Sequence, residues 1–141
     1  MFSGEFEYRI DEKGRLPVPP KFRTAFRDGV VVVQGIEKCL TIYTPAEWKK
    51  VADSIIGSNL SPSKLRTINR QLFSTAYTMI IDGQGRIGLP SGLRAYAGIG
   101  EDIVIIGANN YLELWDKDAW KAEKRAGQEQ VWQIIEGLER R

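Results

Sequence analysis

Apolar residues alternate with charged and polar ones near the start of the chain, where Phe6, Tyr8 and Ile10 fall on one face. This period of two predicts a half-buried β-strand over residues 5–10. Apolar runs bounded by turn residues predict further strands at 16–18, 30–34 and 40–43. A second set of strands is predicted at 77–81, 86–89, 103–106 and 111–115. The chain therefore contains two similar sets of four predicted strands.

Helix signals lie between and after these strands. Thr44 and Glu47 form a capping box that predicts a helix ended by Gly57. Ser61 begins a second predicted helix, which links the two sets of strands, and Asp116 caps a last helix. The other helical segments are a short helix opened by residues 19–20, another at 91–97, and a terminal segment, 128–141, that either continues the last helix or frays.

The two sets of strands belong to an internal repeat. The stretch "IDEKGRLPVP" at residues 10–19 returns as "IDGQGRIGLP" at 81–90. The similarity continues through the following strands and the tryptophans that begin each later helix. Each half has about 70 residues and would be marginally stable alone, because small chains bury too little surface. We therefore expect the two halves to share one core.

Composition narrows the classes of function. The 141 residues are 43% hydrophobic and 10% aromatic, as in an ordinary globular protein. Cys39 is the only cysteine and histidine is absent, which excludes an internal disulfide and the usual zinc ligand sets. We interpret Cys39 as a small apolar strand residue, and expect no cofactor. No nucleophile-elbow motif is present, so we predict a protein that is not an enzyme, although carboxylate or lysine chemistry stays open.

Two further patterns concern location and partners. The apolar runs are far shorter than the roughly 20 residues of a membrane span, and the N-terminus lacks the pattern of a signal peptide, which predicts a cytoplasmic protein. The net charge is only +2, but its distribution is uneven. Residues 1–27 hold six basic and four acidic residues, and residues 61–98 hold five and one. Positive charge thus gathers around both copies of the repeated stretch, as expected for a protein that binds a polyanion.

The repeated stretch carries a motif of one acidic and one basic residue. Asp11 precedes Arg15 by four residues around a tight turn, and Asp82 precedes Arg86 in the same way. A carboxylate and a guanidinium at the two ends of a turn can pair in a fork geometry. A single such pair is best interpreted as a turn-stabilising ion pair. Its duplication favours two basic loops on a two-fold scaffold, which suits a DNA duplex with a regularly repeating backbone.

The residues after each motif extend it to the pattern I-D-x-x-G-R-φ-x-φ-P-x-x-φ-R, where φ is apolar. This pattern resembles the AbrB-like swapped-hairpin DNA-binding domain of bacterial transition-state regulators and antitoxins. Two tandem copies, with Met-Phe-x-Gly at the start and "YTPAEW" or "WDKDAW" late in each unit, resemble the MraZ family. That family contains regulators encoded at the head of the division and cell wall gene cluster.

The resemblance implies an α+β fold, a double AbrB-like β-barrel formed by interlocking the two repeats, with flanking helices. The expected units are a first repeat at 1–56, a linker helix at 57–75, a second repeat at 76–125 and a helical tail at 126–141. It also implies a homo-oligomeric ring of eight or twelve subunits. The implied partner is double-stranded promoter DNA, bound at short direct repeats, with a nucleoid-associated location and no membrane.

The resemblance also implies which side chains contact DNA. The expected DNA-binding residues are Asp11, Lys13, Arg15, Arg23, Asp82, Arg86 and Arg94, with Arg23 and Arg94 as second-rank contacts. The two loops need not bind DNA equally, because Gly83 and Gln84 stand where the first copy has Glu12 and Lys13.

Three hypotheses follow for the function. The leading one is a sequence-specific DNA-binding transcriptional regulator, which we expect to repress transcription. The alternative is an AbrB-like protein-interaction or antitoxin-type module, and an enzyme on a double barrel is the weakest. The aromatic residues Tyr43, Trp48, Trp115 and Trp120 are interpreted as core or subunit packing, not as platforms for bases. Lys64, Arg66 and Arg70 are interpreted as a solvent-exposed helix face.

Overall fold

The computed structural model of the protein describes residues 1–139. Its strands are β1 (Glu5–Arg9), β2 (Arg15–Pro17), β3 (Val30–Gln34), β4 (Leu40–Tyr43), β5 (Tyr77–Met79), β6 (Arg86–Gly88), β7 (Asp102–Gly107) and β8 (Leu112–Asp116). Its α-helices are α1 (Pro45–Ile56), α2 (Pro62–Leu72), α3 (Ser91–Tyr96) and α4 (Lys117–Glu139). All eight predicted strands are therefore confirmed, with bounds that differ from the predicted ones by at most two residues.

The helix signals are confirmed with one difference. The Thr44 hydroxyl accepts the amide of Glu47 at the start of α1, and the Ser61 hydroxyl accepts that of Lys64 at the start of α2. The short helix predicted after residues 19–20 is only a 3₁₀ turn at Pro20–Phe22. Its amides bond to carbonyls three residues earlier, the pattern of a 3₁₀ turn and not of an α-helix.

The terminal segment continues the last helix. Within the described residues, α4 runs unbroken to Glu139, so 128–139 are helical, while positions 140 and 141 lie outside the described residues. No helix in residues 1–139 is both long enough and apolar enough to cross a membrane.

The strands of the two repeats are interleaved. The larger sheet has six strands in the order β1-β7-β8-β4-β3-β5, and every pair is antiparallel. Each repeat contributes a central hairpin, β3–β4 or β7–β8. The first strand of each repeat pairs with the hairpin of the other, β1 with β7 and β5 with β3. The expectation that the halves share one core is therefore confirmed.

The order of the strands contradicts the expected closed barrel. Within residues 1–139 the six-stranded sheet has two edges, at β1 and at β5. The remaining strands, β2 and β6, pair with each other in a separate two-stranded ribbon. Because the ribbon is a separate sheet that does not join the β1 and β5 edges, the six-stranded sheet of residues 1–139 is open. The structure is α+β, an open antiparallel sheet with a ribbon and flanking helices.

The core lies between the ribbon and the inner face of the sheet. Leu16 on β2 is opposite Ile87 on β6, and their side chains are 0% and 2% exposed. They pack with buried residues of both repeats, including Phe26, Ile103 and Leu114. The ribbon thus closes the core from one side, with one apolar residue from each repeat at its centre.

We expect Leu16→Ala and Ile87→Ala each to lower the free energy of unfolding by about 2–5 kcal/mol, because each leaves a cavity in a shared core. The control is Ile80→Ala, which removes an aliphatic side chain that is 68% exposed and should change stability by less than about 0.5 kcal/mol. Urea denaturation followed by circular dichroism measures all three. Equal effects at Ile80 and Leu16 would contradict the assignment of the ribbon to the core.

Candidate nucleic-acid interface

The turn between β1 and β2 is built around the carboxylate of Asp11. Its Oδ1 accepts the backbone amides of Lys13 and Arg15 at 3.0 and 2.8 Å. Its Oδ2 accepts Nε of Arg15 at 2.7 Å. The Gly14 amide donates to the carbonyl of Asp11 at 3.0 Å, and a φ of +78° at Gly14 returns the chain into β2. The carboxylate therefore holds both the turn and the first nitrogen of the arginine side chain.

The second repeat builds the same turn around Asp82. Its Oδ1 accepts the amides of Gln84 and Arg86 at 2.8 and 2.9 Å, and its Oδ2 accepts Nε of Arg86 at 3.1 Å. The pair in each repeat is thus joined through Nε and a backbone amide, not through the fork that the sequence suggested. Within residues 1–139 no hydrogen bond engages the terminal nitrogens of Arg15 or Arg86.

The ribbon brings the two arginines onto one face. Arg15 is opposite Gly88, and Arg86 is opposite Pro17. Since alternate residues of a strand face opposite sides, both arginines lie on the face away from the buried Leu16. They are diagonal neighbours, a relation that places residues about 7–8 Å apart across an antiparallel pair. Their side chains are 37% and 27% exposed, so this outer face carries two guanidinium groups, one from each repeat.

Arg23 and Arg94 lie elsewhere than their position in the sequence suggests. Each follows the motif of its own repeat, but each guanidinium packs against the turn of the other repeat. Arg94 lies against Gly14, and Arg23 lies against Gly85. Both arginines are half-buried. Sequence reasoning missed this exchange, because the spacing of nine residues between glycine and arginine is the same in both repeats and does not show which repeat supplies the partner.

Other basic residues are less organised. Lys13 is exposed at the tip of the first turn, and its backbone amide bonds to Asp11, whereas the second turn has the neutral Gln84 at this position. Lys64, Arg66 and Arg70 on α2 are all exposed, so their interpretation as a solvent-exposed helix face stays a prediction. Arg15 and Arg86 are thus the basic residues that the two turns hold through their own aspartates.

One group of potential metal ligands lies far from the turns in sequence. Ligand atoms of Glu37, Cys39 and Glu113 lie within 4.8 Å of one another. Burial raises the pKa of the Cys39 thiol to about 12, and burial also raises the pKa of Glu113. At neutral pH the thiol keeps its proton and donates to Oε2 of Glu113 at 3.8 Å. Cys39 is 0% exposed, which confirms that it packs as a buried residue, but it lies in the bend just before β4 and not in a strand.

The aromatic residues pack against one another. The ring centroids of Tyr43 and Trp48 are 5.6 Å apart, and those of Trp115 and Trp120 are also 5.6 Å apart. All four side chains are buried or half-buried. The interpretation that these aromatic residues serve packing is confirmed.

We expect the carboxyl groups of Asp11 and Asp82 to titrate below the ordinary aspartate value of about 3.9. Hydrogen bonds from the backbone amides of Arg15 and Arg86 are the main cause of each lowered pKa, because they favour the charged form. Each carboxylate then stabilises the fold fully above its ordinary pKa, and this contribution is lost as pH falls through the lowered pKa.

An NMR titration of the carboxyl carbons measures both midpoints. Asp11→Asn should remove one midpoint and leave that of Asp82 in place. A midpoint at or above the ordinary value for either carboxyl group would contradict the hydrogen bonds described for the turns.

Comparisons with known proteins show the family to which the chain belongs. A family model described as an antitoxin-like "MraZ protein" matches residues 1–71 and again residues 72–131. A protein of Dehalococcoides mccartyi named "Transcriptional regulator MraZ" is 51% identical over 99% of both chains. Proteins of the same name are 40% identical in Thermomicrobium roseum, over 87% of both chains, and 39% in Thermobifida fusca, over 94% of this chain and 92% of the relative. The chain belongs to the MraZ family.

Proposed function

We propose that the protein is a transcriptional regulator that binds DNA in a sequence-specific way through the outer face of the β2–β6 ribbon. One observation carries this proposal: the ribbon presents Arg15 and Arg86, one from each repeat, on the face opposite the core. The names of the relatives support the regulatory role. The proposal involves no catalytic step and no cofactor.

The shape of the ribbon suits a DNA groove. The major groove of B-DNA is about 12 Å wide and admits a two-stranded β-ribbon. Arginine is the residue most often used for guanine, and its terminal nitrogens also bind phosphate. In our proposal the terminal nitrogens of Arg15 and Arg86 contact DNA, while Asp11 and Asp82 orient them through Nε. Lys13 adds a phosphate contact in the first turn, while Arg23 and Arg94, expected from the sequence to be second-rank contacts, pack against the two turns.

The proposal extends to the target and the assembly. Membership of the family supports a target in the promoter of the division and cell wall gene cluster. We propose that the protein binds short direct repeats there and represses transcription. The protein would act in the cytoplasm, on the nucleoid. Several subunits in a closed ring of eight or twelve would engage successive repeats together, because linked weak contacts raise avidity through effective concentration.

The end of α4 supports self-association. Its last turns expose an apolar stripe at helical spacing, with Val131 42%, Ile134 62% and Leu138 60% exposed. Trp132, next to the stripe, is 69% exposed. Exposed apolar surface of this kind marks sites of protein contact. We propose that a second copy of the chain covers it, while an antitoxin-type module that binds another protein through α4 is the alternative function.

We expect Arg15→Ala and Arg86→Ala each to weaken binding to a duplex from the region upstream of the protein's own gene. The loss should be about 1–3 kcal/mol where the arginine contacts a base. Where it meets only phosphate, the slope of log affinity against log salt should fall by about one. Fluorescence anisotropy at two salt concentrations, with scrambled DNA as competitor, measures both quantities.

The matched control for this experiment is Arg27→Ala, which removes a charge from an exposed residue near the motif. It should leave sequence preference unchanged. Stability should hardly change in any of these variants, because a surface ion pair contributes at most about 1 kcal/mol. A folded Arg15→Ala/Arg86→Ala double variant with wild-type affinity would contradict the proposal and show that the motif only stabilises the turn.

We expect Ile134→Asp to reduce the assembled mass, because it places a charge in the apolar stripe of α4. Gln133→Asp, at a neighbouring exposed polar position, is the control and should keep the wild-type mass. Light scattering coupled to size exclusion measures the mass across micromolar concentrations. A wild-type protein that stays monomeric throughout would refute the ring and leave the fold untouched.

A further inference from the structure

We infer that Arg23 and Arg94 are positioning residues that act across the repeats. Arg94, from the second repeat, holds the Asp11–Arg15 turn of the first, and Arg23 holds the Asp82–Arg86 turn of the second. The inference rests on the proposed DNA-binding function, because it concerns how each DNA-contacting arginine is held. It gives the two arginines a task that a direct contact with DNA does not explain.

The first observation is the close approach of each guanidinium to a turn glycine. Gly14 and Gly85 are buried, with φ of +78° and +77°. A Cβ built on Gly14 would lie 2.9 Å from Cζ and 3.0 Å from Nε of Arg94. A Cβ built on Gly85 would lie 2.5 Å from Nε of Arg23. Each guanidinium thus occupies the space that a side chain on the glycine would need, so it packs directly on the turn backbone.

The second observation is a backbone hydrogen bond between each turn and the other repeat. The amide of Val18 donates to the carbonyl of Gly85 at 2.9 Å, and the amide of Leu89 donates to the carbonyl of Gly14 at 2.8 Å. The arginine follows five residues later in each chain segment. Each turn is therefore fixed by its own aspartate and by the backbone and guanidinium of the opposite repeat.

Arg23 and Arg94 differ in the hydrogen bonds that their own Nε atoms make. Nε of Arg23 donates to the carbonyl of Val18 at 3.0 Å. Nε of Arg94 is buried, and it has no hydrogen-bond partner within residues 1–139. Arg94 lines a surface depression with Asp11 and Glu12 of the first repeat. Arg94→Ala is therefore the cleaner test, because Arg23→Ala also leaves the Val18 carbonyl without its partner.

The first test uses the protein without DNA. In ¹⁵N-¹H NMR spectra, Arg94→Ala should shift the amides of residues 13–15 in the first repeat and leave those of residues 84–86 in place. Arg94→Lys should not restore the wild-type shifts, because lysine keeps the charge but lacks the planar group that packs on the turn. Arg27→Ala, the control for charge, should move neither set. Shifts confined to residues 84–86, or no shifts at either turn, would overturn the inference.

The second test is a double-mutant cycle in DNA binding, with the upstream duplex as probe. Arg94→Ala should weaken binding about tenfold, within the range for residues that are coupled through contact. In the Arg15→Ala background, Arg94→Ala should have little further effect, because the Arg15 side chain that Arg94 positions is already absent. In the Arg86→Ala background its effect should remain about tenfold. Equal effects in both backgrounds would mean that Arg94 contacts DNA independently, which would overturn the inference.

The two tests separate this inference from the proposed function. If the wild-type protein failed to bind the duplex but Arg94→Ala shifted the amides of residues 13–15, the contact of Arg94 with the opposite turn would stand and the DNA-binding proposal would fall. If the protein bound DNA but the shifts did not cross, the positioning role would fall alone.

Discussion

The antiparallel pairing of β2 with β6 is the constraint on which the rest of the molecule depends. It places Leu16 opposite Ile87 over the shared core, and strand alternation then turns Arg15 and Arg86 outward. A slip of one residue in this register would move the arginines into the core, at a large desolvation cost, and expose the apolar pair. The burial of the Leu16 and Ile87 side chains therefore determines that the two arginines lie on the outer face of the ribbon.

The exchange between repeats turns a duplicated sequence into one surface. Neither repeat completes its own sheet, because β1 needs β7 and β5 needs β3. Neither repeat completes its own basic turn, because each turn bonds to the backbone that follows the other motif. The aspartates act locally, since they satisfy turn amides and hold Nε of the arginine. Local hydrogen bonds thus set the shape of each turn, and contacts between the repeats set how the two turns lie relative to each other.

The features that depend on short stretches of sequence could be predicted. Period-two alternation, the capping box of Thr44 and Glu47, and the glycines of the turns are local signals, and each gave an element that the structure contains. Features that depend on which distant strands pair could not be read from periodicity. The open sheet edges at β1 and β5, where a barrel was expected, are one such feature. The other is the partner of Arg94, which packs on Gly14, 80 positions earlier in the chain.

A structure of the protein bound to a duplex from its own upstream region tests the central claim most directly. The ribbon's outer face should enter one groove, with the terminal nitrogens of Arg15 and Arg86 within hydrogen-bond distance of DNA and their Nε atoms still on Asp11 and Asp82. DNA bound along another face, with the ribbon facing solvent, would contradict it.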